Sequence, residues 1–508
     1  MDGTTFDIST LFQNIWFMLS YYNYHEEFQF NSGLFWVLFL FFLPIYGLLK
    51  SRRTQMMIFV VAFSLYFFYK SSGFFFLLLV VTSLLDWFFA MQIKNETTKT
   101  MRRFWLWLSI VISTGTLGFF KYSNFVIFNL NELLNNNFQP LDLVLPVGIS
   151  YYTFKTISYV VDVYKEKIKP ADNWLDYLFY LSFFPALAMG PIVRASRFLP
   201  QLKENKPPTK SMVYSGFWLV LVGVIKKAVF ADYFGQYTMI VFNSADGYSG
   251  FELAMALIGF TMQIYCDFSG YSDMAIGLGR VMGFDLGINF DFPFRSLNVT
   301  EFWRRWHISL SSWLKDYIYI PLGGNRKGKP RQYFNLMATM LIGGLWHGPT
   351  WLFVAWGGLH GVALVIHKIT KKPLDALFPS ENVVVKFICW LITFVFICIT
   401  MMMLGVGLYH ITDYTTQPFT IAWTIFANSF TDFDIAYFVP FFTARKLWCY
   451  LIIIIFALHF VPKKVYELMN RLFVKSHWAV KFLVFIIVVQ LVIQFSSAEV
   501  QPFIYGQF

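Results

Sequence analysis

The amino-acid sequence predicts an all-α, polytopic membrane protein with roughly ten to twelve transmembrane helices. Hydrophobic residues make up 57% of the 508 residues and charged residues only 14%, which is too few to cover a soluble globule. Long apolar runs recur from end to end of the chain. Because no water is present in the bilayer core to satisfy the backbone, such runs are predicted to be helices.

The predicted helices follow one another along the whole chain. In order they are Leu34–Leu49, Met56–Tyr69, Phe74–Ile93, Phe104–Phe120, Leu143–Val163, Met212–Ala228, Phe251–Phe268, Trp351–Ile366, Val383–Leu408, Leu447–Val461 and Val480–Phe495. We predict a single membrane domain over residues 1–508. It comprises N-terminal helices (1–142), a motif-bearing core (143–372), and C-terminal helices with an external tail (373–508). Polar residues are dense in the core, and at membrane depth such residues usually serve function.

The net charge of +11 follows a membrane pattern and does not indicate nucleic-acid binding. Basic residues are clustered, whereas three connections contain no lysine or arginine: Tyr21–Gly33, Asn129–Asp142 and Tyr409–Ala444. By the positive-inside rule, both termini are predicted to lie outside the cytoplasm. No cleaved signal peptide is expected at Met1–Asn14, which has no basic residue. The four cysteines are expected to be buried small hydrophobic residues.

The stretch 298–331 predicts an interfacial helix running to about Tyr319, before Pro321. Asn298 or Thr300 can cap it, and Glu301 lies in the first turn, where the helix dipole favours an acid. At helical spacing, one face has Trp303, Trp306, His307, Leu310 and Leu314, and another has Arg304, Ile308, Ser311 and Lys315. By the residues alone, His307 is best interpreted as a packed, hydrogen-bonded histidine.

A second histidine, His347, interrupts an apolar run in the sequence "LIGGLWHGPTW". Basic loops on both sides are predicted to be cytoplasmic, yet only about thirteen residues, Tyr333 to Leu345, precede the break; they span about 20 Å as a helix. This predicts a re-entrant helical hairpin with His347 at its tip. Pro349 suits the first turn of the returning helix, and Gly348 is expected to be non-helical. The imidazole would then lie in an internal cavity, where it can exchange protons. The alternative is a kinked helix with a hydrogen-bonded core histidine.

The segment Tyr265–Phe284 adds polar residues to an apolar helix. An ion pair between Asp273 and Arg280 is predicted, and Asp267 and Asp316 are expected to give structural support alongside them. His360 and His367 are expected to be bonded to polar partners. The glycines from Gly277 to Gly283 lack the spacing and the strand–helix context of a dinucleotide site. The sequence shows no nucleophile elbow, no phosphate-binding loop and no metal-binding histidine cluster.

Five ordered blocks between about Leu145 and His367 resemble the membrane-bound O-acyltransferase family. They are "LPVGISYYTFKTISYVVDVY", "FFPALAMGPIVRASRFLPQL", "DFSGYSDMAIGLGRVMGF", "TEFWRRWHISLSSWLKDYIYIPLGGNRKG" and "GGLWHGPTWLFVAWGGLHG". Within that family they resemble the bacterial branch that acetylates alginate or D-alanylates teichoic acid. The resemblance implies a ring of helices around a thinned centre, with a tunnel from a cytoplasmic donor side to an external funnel. It also implies that His347 is catalytic and that His307 is a second functional histidine, nearer the cytoplasm.

The resemblance further implies an O-acyltransferase, expected to be an O-acetyltransferase, without a bound cofactor or metal. The expected donor is acetyl-CoA or another acyl thioester, and the residues expected to bind it or line the tunnel are Trp303, Arg304, Arg305, Trp306 and Trp346. His347 would act as general base on an acceptor hydroxyl. Expected partners are membrane lipids and an exported SGNH-type hydrolase-like acetyltransferase or a similar acceptor. The expected location is the bacterial cytoplasmic membrane.

Other functions stay open at this point. D-alanyl transfer to teichoic acid, or acylation of a lipid or protein, would use the same motif chemistry. A small-solute transporter would usually show paired broken helices, and only one broken hairpin is evident. The C-terminal "EVQPFIYGQF" resembles the terminal Phe-Ile-Tyr-Phe segment of the bacterial branch, which implies that Tyr505 relays the acyl group. Gly506 departs from that pattern, and the alternative is an aromatic anchor at the outer interface.

Overall fold

A computed structural model describes residues 8–22, 28–30, 32–377 and 382–495, and every regular element in these ranges is helical. This confirms the predicted all-α class. The N-terminal part contains α1 (Ile8–Ser20), α2 (Gly33–Leu49), α3 (Arg53–Ser72), α4 (Phe76–Asn95) and α5 (Lys99–Leu134).

The remaining helices continue in chain order. The middle part contains α6 (Ile149–Tyr164), α7 (Trp174–Ser182), α8 (Ala195–Glu204), α9 (Lys210–Val224), α10 (Asp232–Asn243), α11 (Gly250–Val281), α12 (Val299–Arg305), α13 (Ile308–Leu314), α14 (Lys329–His347) and α15 (Trp351–Leu377). The C-terminal part contains α16 (Val383–Tyr409), α17 (Gln417–Thr431), α18 (Phe438–Ala444), α19 (Lys446–Phe460), α20 (Lys463–Lys475) and α21 (Trp478–Phe495).

Within the described residues, seven helical segments are long and apolar enough to cross a membrane. An eighth is added if the segments Ile435–Ala444 and Lys446–Phe460, which meet at a bend of 101°, form one span. One of the seven, Arg53–Asn95, has 43 residues, about 65 Å of helix and twice the thickness of the hydrocarbon. Gly73, with φ of 58°, breaks it into α3 and α4. The protein is therefore a multi-pass membrane protein.

Some predicted transmembrane runs form shorter helices. The clearest case is α6, which has 16 residues and is buried along nearly its whole length, polar residues included. The run of apolar residues that predicted this helix is explained by contact with protein on all sides, which periodicity alone does not distinguish from contact with lipid.

Helix α11 lies at the centre of the fold and is buried along most of its 32 residues. Glycines bring its backbone against α9: a Cβ on Gly277 would lie 2.6 Å from the Gly216 carbonyl oxygen, and one on Gly270 would lie 2.8 Å from that of Gly223. Only glycine permits this approach. The two helices therefore form a rigid backbone-to-backbone unit behind the site described below.

A π-helical turn, Ile225–Ala231, joins α9 to α10 and directs two adjacent lysines towards carboxylates. Lys226 Nζ donates to Asp273 at 2.7 Å, and Lys227 Nζ donates to Asp267 at 2.7 Å and pairs with Asp232 at 2.8 Å. The predicted pairing of Asp273 with Arg280 is therefore wrong. The glycine contacts of α9 with α11 bring Lys226 within reach of Asp273, which sequence spacing within α11 could not reveal.

Helices α14 and α15 form the antiparallel hairpin predicted around His347. A Cβ on Gly357 would lie 2.4 Å from the Met340 carbonyl oxygen and 3.0 Å from the Gly344 Cα, so the two helices touch through their backbones. The first limb, α14, begins at Lys329 and has 19 residues, longer than the thirteen used in the prediction. The second limb, α15, is itself long enough to cross a membrane.

Candidate active site

The turn of the hairpin places His347 at the last residue of α14. Gly348 follows in an extended conformation (φ −169°, ψ 154°), as predicted, and α15 begins at Trp351, two residues after Pro349. The imidazole is buried, with 2% of the residue exposed. Its ring lies 5.0 Å from the Trp346 ring and 4.9 Å from the Trp356 ring, measured between centroids. His347 is thus enclosed by protein at the end of a helix, where a reactive group can be held in one orientation.

The carbonyl groups at the end of α14 are bound by two adjacent residues of α5. Lys121 Nζ donates to the Trp346 carbonyl oxygen at 2.5 Å, and the Tyr122 hydroxyl donates to the Leu345 carbonyl oxygen at 2.8 Å. The last four carbonyls of a helix have no partner within it and carry its negative dipole end, which a lysine complements. Helix α5 therefore closes the turn from one side.

His307 lies where the predicted continuous helix is broken into α12 and α13. Its backbone is left-handed (φ 42°, ψ 55°), a conformation that is rare for residues other than glycine. The segment Asn289–Asp291 runs beside the break: Asp291 N donates to the Arg305 carbonyl at 3.0 Å, and Ile308 N donates to the Asn289 carbonyl at 2.9 Å. These bonds replace helical ones. The prediction of one helix to Tyr319 was wrong, whereas the cap at Asn298 is confirmed.

The Asn289 side chain holds the His307 ring. Asn289 Oδ1 accepts from the Ser309 hydroxyl (2.9 Å) and backbone N–H (3.2 Å), while Asn289 Nδ2 donates to the Ser272 hydroxyl at 3.1 Å. His307 Nδ1 lies 3.1 Å from the same Oδ1, which can only accept, so Nδ1 bears the proton. This leaves His307 Nε2 as a hydrogen-bond acceptor, and it has no partner among the described residues.

The Trp346 ring connects the two histidines: its centroid lies 6.1 Å from that of His307 and 5.0 Å from that of His347. The Trp346 Nε1–H donor is buried and, within the described ranges, has no hydrogen-bond partner. Burying a polar group without a partner costs about 1–3 kcal/mol, so such an atom in a native protein calls for a partner such as water or a ligand. An acceptor, His307 Nε2, and a donor, Trp346 Nε1, thus belong to rings near His347.

Two further histidines have the polar partners that the sequence predicted. Trp303 Nε1 donates to His360 Nδ1 at 3.2 Å, and His367 Nδ1 lies 2.8 Å from the Thr300 hydroxyl oxygen. Trp306 is buried. These contacts join α12 to α15, so the helix that leads to His307 is fixed to the second limb of the hairpin.

A cavity of about 420 Å³ opens beside α12 and α15. Its lining is rich in charged residues: Asp291, Asn298, Thr300, Glu301, Arg304, Arg305, His367, Lys368 and Lys371. Arg305 is bonded to Glu301 at 2.9 Å and lies 3.8 Å from Asp291, so its charge is largely compensated. Arg304, Lys368 and Lys371 form no ion pair within 4.0 Å among the described residues, and they give the cavity a surplus of positive charge.

Other predicted site residues lie at different places in the fold. Asp316 pairs with Arg194 at 3.5 Å, and Asp267 belongs to the ion pairs of Lys227. Both carboxylates therefore lie in ion pairs. Tyr505 lies outside the described residues.

Known proteins are similar to this chain over the segments that form the site. A profile of the membrane-bound O-acyltransferase family matches residues 171–406, which include His307, His347 and the cavity. A probable alginate O-acetylase of Azotobacter vinelandii is 35% identical over 373 residues, 71% of this chain and 74% of that protein. The chain belongs to the membrane-bound O-acyltransferase family. As a member, it is an enzyme of the acyltransferase class.

Two more relatives of this O-acyltransferase differ in the reaction that their names state. A peptidoglycan O-acetyltransferase of Helicobacter pylori is 37% identical over 340 residues, which span 62% of this chain and 64% of that protein. A teichoic acid D-alanyltransferase of Streptococcus thermophilus is 30% identical over 234 residues, 44% of this chain and 56% of that protein. The similarity to the D-alanyltransferase is thus lower and covers less of both chains.

Sequence reasoning about this O-acyltransferase missed two residues of the site. Lys121 lies on the buried face of α5, and a lysine in a transmembrane segment is itself a functional signal. Asn289 lies in an irregular segment between α11 and α12 and gave no signal of its own. Only the folded chain brings Asn289 next to His307.

Proposed function

We propose that this O-acyltransferase moves an acetyl group from cytoplasmic acetyl-CoA to a hydroxyl group outside the cytoplasm, for O-acetylation of an extracytoplasmic polysaccharide. The observation that supports this most is the arrangement of His347, Trp346 and His307: beside a buried imidazole lie an acceptor and a donor that have no hydrogen-bond partner among the residues that the structure describes. Residues 143–372 form the acyltransferase core in this proposal. The protein lies in the bacterial cytoplasmic membrane with both termini outside, and an exported SGNH-type hydrolase-like acetyltransferase receives the acetyl group.

The proposed reaction needs only positioning and proton transfer, because the thioester is already activated. The His347 ring accepts the proton of the acceptor hydroxyl as its oxygen attacks the thioester carbonyl carbon. Trp346 Nε1–H donates to the carbonyl oxygen as negative charge develops there. The carbon–sulfur bond then breaks, and the proton held by His347 passes to the thiolate. The products are an ester and a free thiol, and His347 is neutral again.

His307 has a different part in this proposal. Because Nδ1–H is directed to Asn289, Nε2 presents a lone pair that can accept a hydrogen bond from an N–H of the donor's pantetheine arm. His307 would therefore position the thioester instead of removing a proton.

The charged cavity is proposed as the site for the phosphates of acetyl-CoA. Arg304, Lys368 and Lys371 supply the positive charge, and arginine binds phosphate oxygens with two parallel hydrogen bonds. Hydrogen bonds to charged groups contribute about 1.5–3 kcal/mol. This assignment separates the part of the donor that binds in the cavity from the thioester that reacts near His347.

Replacing cavity residues should weaken binding of coenzyme A without affecting the reaction. We expect Arg304→Ala and Lys368→Ala each to raise KM for acetyl-CoA about 10–100-fold, with little change in KM for acetyl-pantetheine, which lacks the phosphates. Lys203→Ala is the control, because Lys203 is exposed and pairs with Asp172. An equal rise of KM for both donors in the Arg304 and Lys368 variants would contradict the phosphate assignment.

The proposed function is tested in inverted membrane vesicles of the source bacterium, whose cytoplasmic face is accessible. Acetyl-CoA labelled in the acetyl group is added, and we expect alkali-labile label in the polysaccharide fraction, absent from vesicles containing the His347→Ala variant. In a parallel incubation the vesicles receive a labelled D-alanyl carrier thioester. Label transferred from this donor, and not from acetyl-CoA, would instead establish D-alanyl transfer. Label in lipid or protein would establish acylation of those acceptors, and free labelled solute inside the vesicles without any ester would establish transport.

A further inference from the structure

Lys121 occupies a position where a charge is costly. Helix α5 is 36 residues long and buries one face, made of Leu106, Ser109, Ser113, Leu117, Lys121 and Phe125. Only 6% of Lys121 is exposed. Transferring an ammonium group from water into an apolar environment is unfavourable unless hydrogen bonds and charges compensate it. A lysine on the buried face of α5 therefore needs specific hydrogen-bond partners.

Those partners are at the turn of the α14–α15 hairpin. Lys121 Nζ donates to the Trp346 carbonyl oxygen (2.5 Å) and to the Ser150 hydroxyl (3.3 Å), while Tyr122 donates to the Leu345 carbonyl oxygen (2.8 Å). The Trp346 carbonyl belongs to the peptide unit whose N–H is that of His347. Holding this carbonyl fixes the plane from which the His347 side chain projects.

We propose that Lys121 and Tyr122 are positioning residues that clamp the turn of the hairpin and set the orientation of the His347 imidazole. The inference rests on the proposed function, in which His347 is the general base. In this proposal both residues act through the turn of the hairpin. A displacement of about 1 Å of a catalytic group can cost about 10²-fold in rate, so loss of the clamp acts on turnover and leaves binding of the donor in its separate cavity intact.

Lys121→Met tests the clamp, because methionine has a similar length but no ammonium group. We expect kcat to fall about 10–100-fold with KM for acetyl-CoA unchanged and the melting temperature of the purified protein retained. Lys121→Arg restores a cationic donor and should recover most of the lost kcat. A purely structural role would instead lower the melting temperature and the yield of folded protein.

Lys155→Met is the matched control. Lys155 is 1% exposed and donates at 3.5 Å to the Leu181 carbonyl oxygen in the last turn of α7, so it also binds a helix end, that of α7 instead of α14. We expect its kcat to equal that of the wild type. Equal loss of kcat in the Lys121→Met and Lys155→Met variants would overturn the clamp, as would a wild-type kcat in Lys121→Met.

Two additional variants keep the test decisive. If Lys121→Met does not fold, Tyr122→Phe, which removes one hydroxyl, tests the clamp instead. We expect a several-fold lower kcat for Tyr122→Phe. An unchanged kcat overturns the clamp. His347→Ala, measured in the same assay, separates the two proposals. Activity in His347→Ala overturns the proposed function, whereas an inactive His347→Ala beside a fully active Lys121→Met overturns the clamp alone.

Discussion

His347→Ala should lower acyl transfer by about 10²–10⁴-fold, the usual contribution of a general base. The reason is that the acceptor hydroxyl would have to lose its proton inside a buried site with no imidazole to receive it. The measurement is the initial rate of acetyl transfer from acetyl-CoA by the purified protein in lipid nanodiscs. KM for acetyl-CoA should stay unchanged, because the proposed phosphate site is a different cavity.

The control for this variant is another histidine of the same chain. His477 is exposed between α20 and α21, so His477→Ala should retain the wild-type rate. A wild-type rate in His347→Ala would reject the assignment of His347 as the base. A low rate in both variants would show that the loss is not specific to the hairpin.

Replacing His307 should have the second largest effect, and the replacement must respect its backbone. Because His307 has a φ of 42°, an alanine there is strained, whereas glycine adopts this conformation freely. We therefore expect His307→Gly to fold as well as the wild type, judged by its melting temperature, yet to lose about 10²-fold in kcat/KM. The loss arises because Nε2 no longer accepts a hydrogen bond from the donor.

Asn289 gives an independent check on the same ring. In Asn289→Asp, one carboxylate oxygen can still accept from His307 Nδ1–H and from the Ser309 hydroxyl, so most of the activity should remain. In Asn289→Ala the one acceptor oxygen is lost together with both of these hydrogen bonds, and activity should approach that of His307→Gly. If Asn289→Ala keeps full activity, orientation of His307 by Asn289 is not needed for the reaction.

The helical membrane class and the hairpin could be predicted because their signals are local in sequence. Apolar runs are continuous, and the glycines, Pro349 and the basic loops around His347 lie within a short stretch. Extended backbone at Gly348 follows from its neighbour Pro349 alone. These features need no knowledge of how distant parts of the chain meet.

The features that sequence could not give depend on contacts between distant segments. Helical spacing from Asn298 to Tyr319 is regular, yet backbone hydrogen bonds from Asn289 and Asp291 break the helix at His307. Lys226 replaces Arg280 as the partner of Asp273 for a similar reason, since the glycine contacts of α9 and α11 are invisible to local periodicity. In both cases contacts between distant segments decide the structure, and local sequence spacing does not show them.

The π-helical turn Ile225–Ala231 restricts which insertions and deletions the protein can tolerate. In a regular α-helix neighbouring side chains diverge by about 100°, whereas in this segment the neighbours Lys226 and Lys227 both pair with carboxylates of α11. A π-turn holds one more residue than the regular helix would. We expect deletion of one residue here to restore the regular helix and to break at least one of the pairs Lys226–Asp273 and Lys227–Asp267, because the side chains beyond the deletion would turn by about 100° relative to α11. We therefore expect related proteins to keep the length of this segment, even where its individual residues differ.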